Sequence, residues 1–394
     1  MAALQNPQYL GLWTGAFLSS LGTWTQDVAL AWLIHTRFEN PMYLGLRSFA
    51  AEAPLITFML VGGAAADRFD RRKILLTSNC LQMTFAAVLA ALYYTDHLGL
   101  GLILLIAFLT GLTQSQSAPT YQAVLTTIVP AAQIPNAVAL NSLQFNLSRT
   151  IGPVLAGLLL VHAGAGACFT ANVVSFLAVI IALLRLRLAP APPPREGLRD
   201  SVASGFRYVL GTPVLRTLTL VSAAASFLTY PLITYLPVFA DDVLRSGATG
   251  YSQLLSSFGL GAIGGALTTA HRGHVPGRGR LLLRAWLVYA VVTLLAFWCG
   301  QQWMAMALLA VSGFCLVTSS STLISLVQEK APDHLRGRTM SIYGVAFRGG
   351  MPLGSVVAGA LVKAAGVSAA LSIFTGALLV LAAGMYWRGS LKSL

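Results

Sequence analysis

Charge is what this chain has least of. Charged residues make up 9% of its 394 positions, and only 12 of them are acidic. An ordinary soluble domain carries about 25% charged residues. Such scarcity, with 56% hydrophobic residues and a mean hydropathy of +0.73, excludes a soluble globular protein. It leaves a polytopic, all-α membrane protein. The four cysteines, Cys80, Cys168, Cys299 and Cys315, fall in apolar runs without metal-ligand spacing. That excludes a disulfide framework and a cysteine metal centre, and no metal or cofactor is expected. No Walker A sequence is present, which disfavours ATP-driven work by this chain alone. No H-E-x-x-H or G-x-S-x-G is present either, so the chain does not read as an enzyme. The N-terminus has no basic n-region and no evident cleavage site, so the first apolar span is expected to act as an uncleaved insertion signal.

What charge there is has a pattern. The net charge is +13, and most Lys and Arg fall on loops and helix ends of one side. Arg149 and Arg348 lie within apolar spans, and Arg37, Arg47, Arg245 and Lys363 lie near the opposite side. This asymmetry is the positive-inside rule of membrane proteins, so the basic side is cytoplasmic and nucleic acid is not the expected partner. Attraction to acidic lipid headgroups is a secondary reading.

Crossing about 30 Å of hydrocarbon takes about 20 residues of helix. Twelve apolar windows are long enough: 9–36, 42–66, 74–94, 99–128, 137–163, 166–188, 214–240, 248–271, 281–300, 303–328, 338–364 and 367–388. An even number puts both termini on the cytoplasmic side. Residues 189–213 interrupt the pattern with Ala189-Pro190-Ala191-Pro192-Pro193-Pro194, an extended linker by its proline content. Beyond it Val202, Phe206, Val209 and Leu210 recur at helical spacing beside Arg199 and Arg207, as in a short amphipathic helix on the inner membrane surface. The expected domains are a six-helix bundle at 1–188, the linker at 189–213 and a second six-helix bundle at 214–394. The halves repeat. Arg149-Thr150-Ile151-Gly152-Pro153 matches Arg348-Gly349-Gly350-Met351-Pro352, and Gly62-Gly63 matches Gly264-Gly265. Two six-helix repeats around a midplane site is a common design of secondary transporters.

The most specific stretch joins the second and third windows. Gly63, Asp67, Arg68, Asp70, Arg71 and Arg72 stand in a short basic turn. It resembles the signature G-x-x-x-D-R-x-x-R-R of the major facilitator superfamily, in which the acidic residue latches to the other half of the molecule. The resemblance carries that role to Asp67, with Arg68 and Arg71 as local support. The alternative is that the arginines only set topology, which would leave Asp67 and Asp70 without a task.

Asp27 and Glu52 stand at similar depth, about nine and ten residues from the outer ends of their spans. Acidic groups there are costly and usually face a cavity. They suit proton exchange or recognition of a cationic substrate. The structural alternative is a fixed pair with Arg47 or a polar helix contact. Arg149 and Arg348 each precede a proline by four residues. They suit contact with an anion, with substrate, or with Asp27 or Glu52; the alternative is bonding to carbonyls freed at the proline kinks. Trp24, Gln26, Gln114, Gln116, Asn141, Gln144, Asn146, Phe227, Tyr230, Tyr235, Tyr343 and Phe347 are candidates for a cavity lining, against helix packing or an interfacial aromatic belt. Gly259-Leu260-Gly261-Ala262-Ile263-Gly264 is a formal GxGxxG inside an apolar span. Gly261 and Gly265 there suit close helix packing rather than a nucleotide. His271-x-x-His274 reads as a basic loop before a metal site.

Further stretches are similar to the twelve-helix drug:proton antiporter branch of the superfamily, which includes the enterobactin exporter and macrolide efflux proteins. These are Pro135-Asn136-Ala137-Val138-Ala139-Leu140-Asn141-Ser142, Phe145 to Arg149 with Gly152-Pro153, and Arg336-Gly337-Arg338 with Phe347-Arg348-Gly349 and Pro352-Leu353-Gly354. The resemblance implies a two-bundle fold, alternating access and a proton gradient as the energy source. Glu52 departs from it, because family members usually carry an uncharged residue there. The expectation is a monomeric exporter of amphipathic small molecules of the drug or siderophore class in the bacterial inner membrane. Its partners are the small-molecule substrate, protons and the lipid bilayer. A lipid or lysophospholipid flippase on the same fold is the alternative.

Overall fold

The computed structural model describes residues 2–186, 188, 206–272, 277–332 and 335–389, and side chains at 59–68, 126, 270 and 272 lie outside that description. The proline run and Val202 of the expected linker, and His274 of the basic loop, lie outside the described residues too.

Helices account for nearly all of it. They are α1 (Pro7–Phe38), α2 (Met42–Arg68), α3 (Arg71–Tyr94) and α4 (Leu100–Ile128), followed by the long run Ile134–Arg185. That run breaks at Gly164 (φ 76°, ψ 179°), a left-handed conformation open to glycine, into α5 (134–163) and α6 (165–185). Then come α7 (Pro213–Thr229), α8 (Pro231–Val238) with a π-turn over Phe239–Val243, α9 (Gly247–Arg272), α10 (Arg278–Phe297), α11 (Gln302–Lys330), α12 (Arg336–Ala365) and α13 (Val367–Arg388). Pro231 has no N–H to continue the ladder, so α7, α8 and the π-turn form one broken crossing. The result is twelve crossings, in register with the twelve apolar windows. Among the described residues, eight segments are long and apolar enough to span a membrane by composition alone, one of them holding both α5 and α6. Helix α1 is not among them; Ser19, Ser20, Thr23, Gln26 and Asp27 dilute it.

Two compact units emerge: Met1–Phe38 with Ala50–Glu196, and Glu39–Phe49 with Gly197–Leu394. The N-terminal third of α2 thus groups with the second unit, whereas its remainder groups with the first. In the first unit the helix ends that include the start of α1 close around Tyr9, Leu12, Leu75, Leu125, Val179 and Leu183. Asn6 ties two helix ends together there. Its Oδ1 accepts from the Gln8 and Tyr9 amides at 2.9 and 3.4 Å, capping α1 ahead of Pro7. Its Nδ2 donates at 2.7 Å to the Ile128 carbonyl at the end of α4. Asn6→Ala is expected to cost about 1–2 kcal/mol from the lost cap alone, seen as a lowered Tm of the detergent-solubilised protein.

Of the linker helix, residues 206–211 are helical. Phe206 and Leu210 are exposed while Val209 is buried. Val209 therefore packs inward, away from the surface that Phe206 and Leu210 share.

Candidate functional site

The signature stretch is less of a loop than its sequence suggests. Helix α2 runs on through Gly63, Asp67 and Arg68, so only Phe69 and Asp70 separate it from α3. Ala64, Ala65 and Ala66 are strong helix formers, and Asp70 starts the next helix by accepting from the Arg72 and Lys73 amides at 2.9 and 3.3 Å. The side chains of Gly63, Asp67 and Arg68 lie outside the described residues. Arg71 donates to the Thr127 hydroxyl on α4 at 3.1 Å. Arg72 donates from Nε to the Leu183 carbonyl at 2.8 Å and from its terminal nitrogen to the Leu184 carbonyl. Those are among the last carbonyls of α6, where a cation is favoured by both hydrogen bonding and the helix dipole. Arg72 thus fastens the start of α3 to the end of α6. Arg72→Gln is expected to remove about 1.5–3 kcal/mol of charge-assisted bonding, read as a lowered Tm with no change in substrate preference.

Within the first unit the predicted residues divide by helix face. Arg149 on α5 holds its guanidinium 5.8 Å from the centroid of the Trp24 ring, a cation–π contact. Trp24 meets Phe145 edge-on at 6.1 Å. The approach is close because Gly152 offers no side chain opposite Trp24 Cβ, and because Thr25 donates to the Gly152 carbonyl at 3.2 Å. Asp27, half-buried, follows Trp24 by three residues and so shares its face of α1. Trp24, Phe145 and Arg149 thus form one aromatic and cationic group on α1 and α5, with Asp27 a turn along the same helix.

Other candidates serve packing. Gln26 accepts at 3.0 Å from Asn172 of α6, which also bonds Ser175. Gln144, 4% exposed, donates to the Ala16 carbonyl and the Ser20 hydroxyl of α1. Asn146 donates to the Ser142 carbonyl of its own helix. Gln116 is exposed, and Gln114, Asn141 and Glu52 are half-buried. The structure adds Asn172 and Asn6 to the residues that tie helices together. The available signal is a lone asparagine in an apolar run for Asn172 and an Asn-Pro pair at a helix start for Asn6, and neither says which helix the side chain meets.

In the second unit Tyr343 and Phe347 stack at 6.1 Å and 8°, and Phe227 stacks on Phe374 at 5.6 Å. Arg348 is half-buried one residue beyond Phe347, and Tyr230 is half-buried at the break between α7 and α8. Tyr235 is fully buried and donates to the Ser355 carbonyl at 2.7 Å. Gly45 on the N-terminal third of α2 lies against the same hydroxyl and carbonyl, with no room for a Cβ. Tyr235 therefore fastens α8, α12 and this part of α2 together.

Twelve crossings, with arginines and carboxylates inside helices α1, α2, α5 and α12, define a multi-pass membrane transporter rather than an enzyme. Solved structures agree on the fold. A bacterial homologue of the human lysosomal transporter Spinster, inward-facing and unoccupied, superposes with a TM-score of 0.76 at 17% identity, covering 98% of this chain and 97% of that one. The nucleoside transporter NupG gives 0.78 at 11% identity, covering 96% and 99%. The chain belongs to the transmembrane secretion effector family of the major facilitator superfamily, whose model matches residues 1–393. It is 27% identical over 369 residues to the multidrug efflux pump Tap of Mycolicibacterium fortuitum, spanning 90% of this chain and 89% of that one. The Staphylococcus aureus staphyloferrin A transporter is 23% identical, with 87% of each chain covered. The enterobactin exporter EntS of Escherichia coli is 25% identical, with 90% and 85% covered.

Proposed function

We propose that this protein exports amphipathic small molecules of the drug or siderophore class across the bacterial inner membrane by proton antiport. What carries the reading is its end-to-end likeness to a protein named as a multidrug efflux pump and to one named as an enterobactin exporter. Asp27 on α1 is the first choice for the proton-exchanging group, with Glu52 second and Arg149 and Arg348 as charge partners. Trp24 and Phe145 offer ring faces to an amphipathic substrate. The moving parts of an alternating-access cycle are 1–188 and 214–394, joined by 189–213, with Asp67, Arg68 and Arg71 in the cytoplasmic latch. Both termini are cytoplasmic, as the basic inner loops require, and the working unit is the monomer.

The test is flux in proteoliposomes with an imposed pH gradient, an internal pH dye, and a panel of cationic dyes, macrolides and siderophores. Proton movement that depends on one compound supports antiport and names the substrate class. A silent panel together with translocation of a fluorescent lysolipid would replace this reading with the flippase.

A further inference from the structure

We infer that the inner end of the α7–α12 seam is a water-binding site, built by four hydroxyls that the helices themselves leave unsatisfied. Thr219 and Ser222 on α7, and Thr339 and Tyr343 on α12, are buried at 7%, 0%, 0% and 3% exposure. None of their side-chain oxygens has a partner at hydrogen-bond distance and angle; Ser222 and Tyr343 do approach each other, a contact that uses at most one donor and one acceptor of that pair. This departs from the habit of the chain. Thr229, Thr322, Thr375 and Ser256 are also buried and each bonds the carbonyl four residues back. Tyr235 and Tyr289, the comparable buried tyrosines, bond the Ser355 and Thr229 carbonyls.

The four hydroxyls belong together. Thr219 and Ser222 are three residues apart and Thr339 and Tyr343 four apart, so each pair shares a helix face. Helix α12 packs on α7, with Gly350 against Ser226 and Ala223 and Gly354 against Phe227. One and two turns toward the cytoplasmic ends of both helices, Tyr343 lies beside Ser222. An orphan hydroxyl in an apolar setting costs about 1–3 kcal/mol, and four on one seam would burden the crossing heavily. Each hydroxyl both donates and accepts. A buried water makes about three hydrogen bonds, so one or two waters satisfy the set. The substrate does not reach these groups, given their burial, and water is small enough to. The seam is then a wet contact between α7 and α12, whereas the glycine contact beside it is closed by backbone.

Radiolytic hydroxyl-radical footprinting of the full chain in detergent tests this, because radicals generated from a bound water label the side chain beside it. Tyr343 is expected to be oxidised at a rate comparable to exposed Tyr94, with Tyr235 and Tyr289 remaining at background. Thr219→Val with Ser222→Ala is expected to abolish the Tyr343 labelling and to lower the Tm. Tyr343 as silent as Tyr235 and Tyr289 would overturn the inference. So would a raised Tm in the double variant, the sign expected when hydroxyls with no partner are replaced by apolar groups. Neither readout involves transport, so failure here is separable from failure of the antiport reading.

Discussion

Asp27→Asn is expected to reduce gradient-driven transport to the background of empty vesicles while leaving the protein folded. Asp27 and Glu52 are the two carboxylates of the sequence that stand well inside a predicted span; the other ten acidic residues lie in loops, in the linker or near helix ends. Acidic residues inside membrane spans are rare and usually mark a proton or substrate pathway. Asparagine keeps the volume and much of the hydrogen bonding of aspartate but exchanges no proton near neutral pH. The Trp24, Phe145 and Arg149 group is left in place, so substrate is still bound. The variant is therefore expected to retain substrate exchange with no pH gradient and to lose accumulation against one. Asp27→Glu should restore part of the driven flux. Glu52→Gln, on α2 rather than among the Trp24, Phe145 and Arg149 group of α1 and α5, should have the smaller effect. Wild-type driven flux in Asp27→Asn would remove this residue from the coupling and leave Glu52 as the carboxylate to test.

How far these sites could be read from sequence depended on whether the signal was a break or a face. The break between α5 and α6 is visible because Gly164 and Gly166 interrupt a long apolar run, and the windows ended within two residues of it. The break in α7 is visible because Pro231 follows Tyr230. Faces are different. A membrane helix is apolar toward lipid and apolar toward its neighbours, so the 3.6-residue period that reveals the buried side of a soluble helix loses contrast. Gln26 and Gln144 therefore looked equivalent to Trp24 in sequence, yet both turn into helix contacts while Trp24 meets Arg149. The 62–73 stretch misled for another reason. Its charges suggested a loop, but alanines carry α2 almost to Asp70, and that residue restarts the chain as α3. Arg72 as a fastener for the end of α6 depends on a residue more than a hundred positions away, which no local pattern contains.

Gly261→Ala and Gly313→Ala are expected to be the most destructive single-methyl changes in the second unit, and Gly264→Ala nearly silent. A Cβ at Gly261 would overlap the Ala310 carbonyl oxygen of α11, and one at Gly313 would overlap the Phe258 carbonyl oxygen of α9. Neither carbonyl is free to swing aside, because each is held in a helical ladder. The helices would have to separate along the whole crossing. In a bilayer no hydrophobic drive brings them back, since lipid tails are as apolar as leucine, and association rests on contact of this kind. Overpacking costs about 1–3 kcal/mol in cores that yield, and a backbone obstacle places these two sites at or above the upper end. Gly264 sits in the same formal GxGxxG, yet a Cβ there would meet only the Phe314 ring at 3.5 Å, an ordinary contact. Alanine also gains about 0.5–1 kcal/mol over glycine inside a helix, so Gly264→Ala should match or exceed the wild-type Tm. The readouts are monodisperse yield on fluorescence-detected size exclusion and Tm in detergent. Equal damage at all three positions would mean that the glycines answer to something other than the α9–α11 crossing. The graded outcome would show that Gly261 of the formal nucleotide motif answers to backbone contact with α11 and Gly264 does not.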